Sequence, residues 1–340
     1  MEKKGVRLTI LGATGAVGTE MLNVLAEHNF PVRSLKLLAD ANDAGKQITW
    51  QGQNYTVEEA TVDSFHDTDI TLVAVGNTVS RMFSPVAVKS GSVVVDNSSE
   101  YRMDPEVPLV VPEVNPEDIK KHKGIIANPN CSTIIATVPL KPLHDFGKIK
   151  RVVCSTYQAV SGAGLAGFAE LENQITDVMA GKPADPKVFQ HQIAFNVIPH
   201  IETFLDNGFT KEEMKMHNEG RKILHSDDLQ VNCTCVRVPV YRSHSESITI
   251  ETEKKITVEQ AREILSKAPG VKLVDDPENN VYPMPIDSSN QDLVYVGRIR
   301  EDFTAPNSLQ LWVCGDQVRK GAAANAVQIA ELVAKELDLA

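Results

Sequence analysis

Cys131 is the side chain of this sequence best placed to act as a nucleophile. It follows the turn Asn128-Pro129-Asn130 and opens a helical run, Ser132 to Leu143. A thiol at a helix N-terminus feels the positive end of the helix and its N–H donors, which favour the thiolate. The same N–H groups suit a developing oxyanion. The other cysteines read differently. Cys154, Cys233, Cys235 and Cys314 lie inside β-rich apolar runs, where a free cysteine is ordinarily a small buried hydrophobe. The pair Cys233 and Cys235 has no second pair at zinc-like spacing, so no metal site is expected. A thiol nucleophile also needs an acid or base. His28, His66, His122 and His144 stand in polar, helical or loop contexts that read as surface. His244 falls between two strand runs, in Arg237-Val238-Pro239-Val240-Tyr241-Arg242-Ser243-His244-Ser245-Glu246, and reads as a loop histidine with arginines upstream. That setting suits proton transfer beside an anionic substrate.

A second feature lies near the start. Gly12-Ala13-Thr14-Gly15-Ala16-Val17-Gly18 follows the apolar run Val6 to Leu11 and precedes Glu20 to Glu27, where apolar residues recur at helical spacing. A strand, a glycine-rich turn and a helix make a dinucleotide-binding βα unit. Without Cβ atoms, the turn's N–H groups approach a pyrophosphate at the helix's positive end. The spacing G-x-x-G-x-x-G leaves a tight structural turn as the alternative. With a thiol nucleophile the dinucleotide reading defines a reaction class. A thiolate adds to an aldehyde, the hemithioacetal gives hydride to a nicotinamide, and a thioester remains.

The elements that must hold these groups follow from the apolar pattern. Leu35 to Ala39, Ile70 to Val75, Ser92 to Asp96 and Gly124 to Ala127 read as further strands. Helical or irregular segments such as Pro85 to Lys89 and Pro116 to His122 lie between them. This rhythm predicts an α/β fold, a Rossmann-type doubly wound parallel sheet with helices on both faces. After about residue 150 longer β-rich runs take over: Lys150 to Tyr157, Leu229 to Val240, Ser247 to Thr252, Leu293 to Arg300 and Leu309 to Cys314. They suggest a second, inserted α+β domain with an antiparallel sheet. The Ala-rich run Lys320 to Leu339 reads as a helix that returns to the first domain. The expected division is 1–130 plus 318–340 for dinucleotide binding, and 131–317 for catalysis and dimerisation.

Composition narrows the partners. The chain has 340 residues, with 34 Lys and Arg against 45 Asp and Glu, a formal charge of −11. That balance excludes a general nucleic-acid surface, which needs a basic footprint. No apolar run reaches the roughly 18 residues of a membrane span. The start, Met1 to Lys4, enters a strand-like run without an apolar leader, and five scattered cysteines are too few for a disulfide scaffold. A cytoplasmic enzyme is expected.

The chain resembles the aspartate-β-semialdehyde dehydrogenase family over nearly its whole length. The strings that carry the resemblance are GATGAVG, VVVDNSSEYRM, VPLVVPEVN, NPNCST, STYQAVSGAG, EEMKMHNEGRKI, CVRVPVYRSHSE, VGRIRED and KGAAANAVQIAE, in family order. The resemblance implies a homo-oligomer, a dimer or tetramer, acting in the biosynthesis of lysine, threonine, methionine and diaminopimelate. It implies that Cys131 forms the acyl-enzyme, that Gln158 orients it and that His244 is the acid/base. Arg237 would grip the substrate's α-carboxylate, for which a planar fork is suited. Glu219 would meet the amino group, Arg102 and Lys222 the phosphate, with Asn130 in support. Gly12, Ala13, Thr14, Gly15, Ala16, Val17, Asp40, Asn42 and Asn325 would contact the cofactor. In the synthetic direction L-aspartyl-4-phosphate acylates Cys131, phosphate leaves, and hydride reduces the thioester to L-aspartate-4-semialdehyde.

The sequence departs from the family at one place. Many members carry a Ser-x-Arg-Ser string after the second strand that holds the 2′-phosphate of NADP. Here Asp40, Asn42 and Asp43 take the first serine, the arginine and the second serine. Two carboxylates repel a 2′-phosphate, whereas one accepts hydrogen bonds from a ribose. NADP is the cofactor the resemblance implies, and these residues predict weakened NADP specificity with NAD used comparably or preferred, Lys46 offsetting part of the repulsion. Two other enzymes share the cysteine logic, N-acetyl-γ-glutamyl-phosphate reductase and glyceraldehyde-3-phosphate dehydrogenase. A non-catalytic nucleotide-sensing protein on the same fold is the alternative of another class.

Overall fold

Val6–Leu11 alternates Val6, Leu8 and Ile10 on one face with Arg7, Thr9 and Leu11 on the other. In the computed structural model, which describes residues 4–339, it forms β1, buried along nearly its whole length. Met1 to Lys3, at the head of the start read above, lie outside the described residues. Around β1 stand β2 (Val32–Ala39), β3 (Gln47–Trp50), β4 (Gln53–Glu59), β5 (Ile70–Val73), β6 (Val93–Asp96) and β7 (Ile125–Ala127), in the order β3-β4-β2-β1-β5-β6-β7. All neighbours run parallel except β3, which pairs antiparallel with β4 at one edge. Helix α1 (Ala16–Glu27) and the C-terminal helix Ala324–Glu336 pack with β1 into one apolar core. Helix α2 (Asn77–Lys89) supplies Phe83, Val86 and Ala87 to a second core with Leu11, Leu38 and Val94. Helices cover both faces, so the sheet is doubly wound. Among the described residues this compact unit comprises 4–129 and 322–339.

The second unit spans 130–321. It contains α3 (Cys131–Gly147), β8 (Ile149–Gln158), α4 (Gly164–Met179), α5 (Lys211–Ile223), β9 (Gln230–Arg237), β10 (His244–Thr252), α6 (Val258–Ser266), β11 (Val271–Leu273), the short α7 (Pro285–Ser288), β12 (Val294–Glu301) and β13 (Ser308–Gly315). Its six-stranded sheet has the order β11-β12-β13-β10-β8-β9. Helices α3, α5 and α6 pack against this sheet.

Several expectations are corrected. The second sheet is mixed, because β8 pairs parallel with β9 and β11 with β12. The connection from β8 to β9 runs through α4 and α5, and a helical crossover returns the chain in the same direction. The β3–β4 hairpin has no counterpart in the sequence reading, since its residues are mostly polar and exposed, with only Trp50 and Val57 buried. Pro116–Lys121 is a 3₁₀ helix, in keeping with the helical or irregular segment expected there, whereas a π-type turn at 319–323 precedes the C-terminal helix. Asn130 and residues 318–321 go with the second unit, because Asn130 caps α3 and Gly321 lies against Cys131.

Candidate active site

The glycine turn shows its purpose in space. Gly12 has φ +90°, and a Cβ there would stand 2.5 Å from the carbonyl oxygen of Ala74. A Cβ on Gly18 would stand 2.1 Å from the Gly12 carbonyl oxygen, so these two positions need glycine. Gly15 is less constrained and serves as the N-cap of α1, whose first residues are Ala16 and Val17. Ala13 is buried, and its N–H donates to Leu38 O. A cavity of about 410 Å³ opens at the carboxyl ends of β1, β2 and β5, lined by Gly12, Thr14, Gly15, Asp40 and Ala41 among others. Carboxyl ends of strands at a reversal of strand order are where doubly wound sheets bind nucleotides. The two glycines that no Cβ can replace and the helix N-terminus beside them fit a dinucleotide pyrophosphate.

Asp40 Oδ1 accepts from the N–H groups of Asn42 (2.9 Å) and Asp43 (3.2 Å), which shapes the turn after β2. Asp43 accepts from Thr14 Oγ1 and pairs with Lys46; these two hydrogen bonds hold its carboxyl below the usual range despite some burial. Asn42 is exposed on the same turn. Asn325 is fully buried, and its amide donates to Val110 O and Asn128 Oδ1, tying the C-terminal helix to the loops beyond the sheet. Arg102 also belongs to this unit. It is 7% exposed and donates to Asn128 O and Asn97 O, both at 2.9 Å.

The second unit holds the remaining candidates. Asn130 is the N-cap of α3, its Oδ1 accepting from the N–H groups of Ser132 (3.1 Å) and Thr133 (3.3 Å). Such a cap satisfies orphan donors of the first turn and fixes where the helix begins. Cys131, the first residue of α3, is partly exposed while the other four cysteines are buried. A Cβ on Gly321 would come within 2.8 Å of Cys131 Cβ, so that glycine leaves room for Cys131.

Helix α5 presses two carboxylates on this cap. Glu219, 2% exposed, accepts from the Asn130 backbone N–H at 2.7 Å. Glu212 accepts from Asn130 Nδ2 (3.1 Å), Gln158 Nε2 (3.0 Å) and Lys215 Nζ (3.0 Å). Burial opposes ionisation of Glu212, but the Lys215 ammonium and these hydrogen bonds outweigh it and hold the carboxyl down at about 2. Lys222 is half-buried in the last turn of α5.

Arg237 ends β9. Its Nη1 donates to Ala159 O at 2.6 Å, and its guanidinium carbon lies 5.7 Å from the Phe189 ring centroid. His244 is not in a loop. It is the first residue of β10, fully buried, and in register with Gly315 of β13. The Ser-His-Ser-Glu run looks like a loop because it is polar, yet strands on both sides satisfy its backbone. The N–H of Ala159 donates to His244 Nδ1 at 3.1 Å, and Nε2 has no protein partner. Because Nδ1 accepts, the neutral ring carries its proton on Nε2. Burial drives the imidazole down to about 3; Arg237 adds to the fall and Glu212 opposes it.

Sequence reasoning missed Glu212, Gly162 and Gly321. A Cβ on Gly162 would meet Arg237 Nη1 at 2.7 Å and His244 Cε1 at 3.5 Å, so Gly162 lies against both side chains. The string STYQAVSGAG contains Gly162, but nothing local in it signals that crowding.

Comparison with known proteins agrees with this geometry. Residues 7–122 match the NAD binding domain of semialdehyde dehydrogenases, and residues 140–320 match their dimerisation domain. The aspartate-semialdehyde dehydrogenase of Aquifex aeolicus is 55% identical over 337 residues, covering 98% of this chain and 99% of the relative. That of Bacillus subtilis is 47% identical, covering 98% of each chain. Among solved structures, aspartate semialdehyde dehydrogenase II of Vibrio cholerae complexed with ASA superposes with a TM-score of 0.96 at 44% identity, over 98% of this chain and 99% of that one. The Candida albicans enzyme with NADP gives 0.76 at 26% identity, over 99% and 100%. A nucleotide cavity on a doubly wound sheet, a capped helix-start cysteine and relatives alike over their full length lead to one conclusion: the chain belongs to the aspartate-semialdehyde dehydrogenase family.

Proposed function

We propose that Cys131 carries the acyl group in the NAD(P)-dependent, phosphate-releasing reduction of L-aspartyl-4-phosphate to L-aspartate-4-semialdehyde, a step of amino-acid biosynthesis. The observation that carries the assignment is the Asn130 cap, which sets a partly exposed thiol at the start of α3 among buried charged groups. Cys131 Sγ attacks the acyl phosphate and the C–O bond to phosphate breaks. The thiol proton leaves with the phosphate, and a thioester remains. The bound reduced nicotinamide supplies the hydride for the thioester carbon. His244 then meets the tetrahedral oxygen with its Nε2–H, Gln158 holds the acyl group, and collapse frees the aldehyde and the thiolate, which takes a proton from water. Arg237 binds the α-carboxylate, Glu219 the amino group, and Arg102 and Lys222 the phosphate. Gly12, Thr14, Gly15 and their neighbours hold the cofactor.

N-acetyl-γ-glutamyl-phosphate reductase is not favoured, since the relatives described above are aspartate-semialdehyde dehydrogenases. We assign the open face of the six-stranded sheet, where Tyr157 packs on Trp312, to a homodimer contact, and place the enzyme in the cytoplasm.

Cofactor choice follows from Asp40 and Asp43. Asp40 lines the cavity and Asp43 stays ionised, so the turn after β2 is hostile to a 2′-phosphate even with Lys46 beside it. NAD is therefore expected to serve at least as well as NADP in phosphate-dependent oxidation of L-aspartate-4-semialdehyde. Asp40→Ser combined with Asn42→Arg is expected to move the preference towards NADP. Initial rates under one set of conditions decide it. A hundredfold preference for NADP in the wild type, about 2.7 kcal/mol, overturns the assignment.

Gly162→Ala tests the carboxylate grip. The new methyl group meets the far end of a flexible side chain, so the fold tolerates it while the guanidinium must move. KM for the semialdehyde is expected to rise about tenfold, the loss from one weakened charge-assisted hydrogen bond, with the melting temperature unchanged. An unchanged KM would show that Arg237 does not hold the substrate.

A further inference from the structure

Glu212 sits at the centre of the hydrogen bonds that orient the site, yet it has no role in the reaction scheme above. One of its oxygens, Oε1, accepts from two amides, Asn130 Nδ2 at 3.1 Å and Gln158 Nε2 at 3.0 Å. The other, Oε2, accepts from Lys215 Nζ at 3.0 Å, and Lys215 is held from the far side by Glu202 at 2.5 Å. The carboxylate is 6% exposed, and its position is therefore set from three directions.

The consequence lies in the amides. A carboxylate only accepts, so each amide must turn its NH₂ towards Glu212 and its oxygen away. For Asn130 that places Oδ1 on the N–H groups of Ser132 and Thr133, the cap that sets where Cys131 begins α3. For Gln158 it leaves Oε1 on the side of Thr156 Oγ1, at 3.4 Å. A flipped Asn130 would set its oxygen against the Glu212 oxygen and its NH₂ against the helix N–H groups, losing both contacts. Glu213, the next residue, does other work. It accepts from the N–H groups of Thr210 and Cys235 and closes the capping box of α5.

We propose that Glu212 is a positioning residue for the reaction: its carboxylate sets the amides of Asn130 and Gln158 in the one orientation that aligns the Cys131 thiol and the acyl group bound to it. The proposal rests on the covalent route assigned to Cys131. It is distinct from binding, because Glu212 acts through the two amides and not on the substrate.

The test uses the full-length enzyme with L-aspartate-4-semialdehyde, phosphate and NAD or NADP. Glu212→Gln keeps the size but turns an NH₂ towards donors. It is expected to lower kcat about 100-fold, the scale of a 1 Å misplacement, while each KM stays within about threefold. Glu212→Asp keeps an acceptor-only group and is expected to recover about tenfold of that loss. Thermal melting of both variants serves as the control. Glu212→Gln with kcat within about twofold of wild type overturns the proposal, as does a loss confined to KM. A fall in melting temperature that tracks kcat in both variants, with no recovery by aspartate, also overturns it and makes the residue structural. Wild-type enzyme that turns over without phosphate dependence would instead remove the underlying assignment of function, whatever the variants do.

Discussion

Cys131→Ala is expected to abolish phosphate-dependent turnover, by about 10⁴-fold or more, with the melting temperature unchanged. Alanine keeps the Cβ beside Gly321 and suits the first position of a helix, so the Asn130 cap and α3 remain. What disappears is the only sulfur of the five that is partly exposed. The others cannot substitute. Burial pushes Cys314 up to about 12, and the hydrogen bond with Cys233, together with burial, pushes Cys235 higher still. Thiols held protonated are poor nucleophiles. Iodoacetamide should therefore label Cys131 first and inactivate the enzyme in step. Wild-type enzyme given semialdehyde and oxidised cofactor without phosphate should accumulate an acyl adduct on the peptide containing Cys131, seen by mass spectrometry. Retention of more than about 1% of the rate by Cys131→Ala overturns the covalent route.

The place of Cys131 at the start of a helix was legible because its signals are local. Asn-Pro-Asn stops one segment, a helical run begins, and the cysteine falls on the boundary. The glycine turn was legible for the same reason, although only the structure separates Gly12 and Gly18, which steric contact requires, from Gly15. Features decided by distant chain were not legible. Glu212 and Glu213 are adjacent acids in the first turn of one helix. Sequence alone cannot say that Glu213 closes the capping box while Glu212 meets Asn130, some eighty residues earlier. The direction of β9 is set by the crossover through α4 and α5 and not by any residue within β9. His244 looked like a loop residue because its neighbours are polar. It lies in a strand because β8 and β13 flank β10 on both sides. Gly162 lies against Arg237 and His244 only once β8, β9 and β10 are adjacent.

His244→Asn is expected to lower kcat by roughly 10²–10⁴-fold with little change in KM, because the Nε2–H acts on an oxygen that carries charge only during the reaction. The contact from Ala159 bears on which nitrogen would act in the proposed reaction. With Nδ1 occupied as an acceptor, Nε2 presents a proton, so in the proposed reaction the ring would donate to the tetrahedral oxygen and could not at the same nitrogen accept the thiol proton. Nitrogen-detected NMR of labelled enzyme should show the neutral Nε2–H tautomer across pH 5 to 8. An Nδ1–H tautomer, or a variant that mainly raises KM, would reverse the assignment. The same burial gives a stability signature whose sign can be worked out. The folded state holds the imidazole near 3 against an ordinary value of 6.5, so the unfolded chain binds the proton more readily in between. Stability contributed by keeping this ring neutral is full above about pH 6.5 and falls as pH drops towards 3. Asparagine does not titrate, so His244→Asn should show a flatter fall in melting temperature between pH 6.5 and 4 than the wild type. A variant that lost activity but kept the wild-type slope would separate the catalytic role from the buried-ring account, because a neutral ring held by Ala159 requires both effects together.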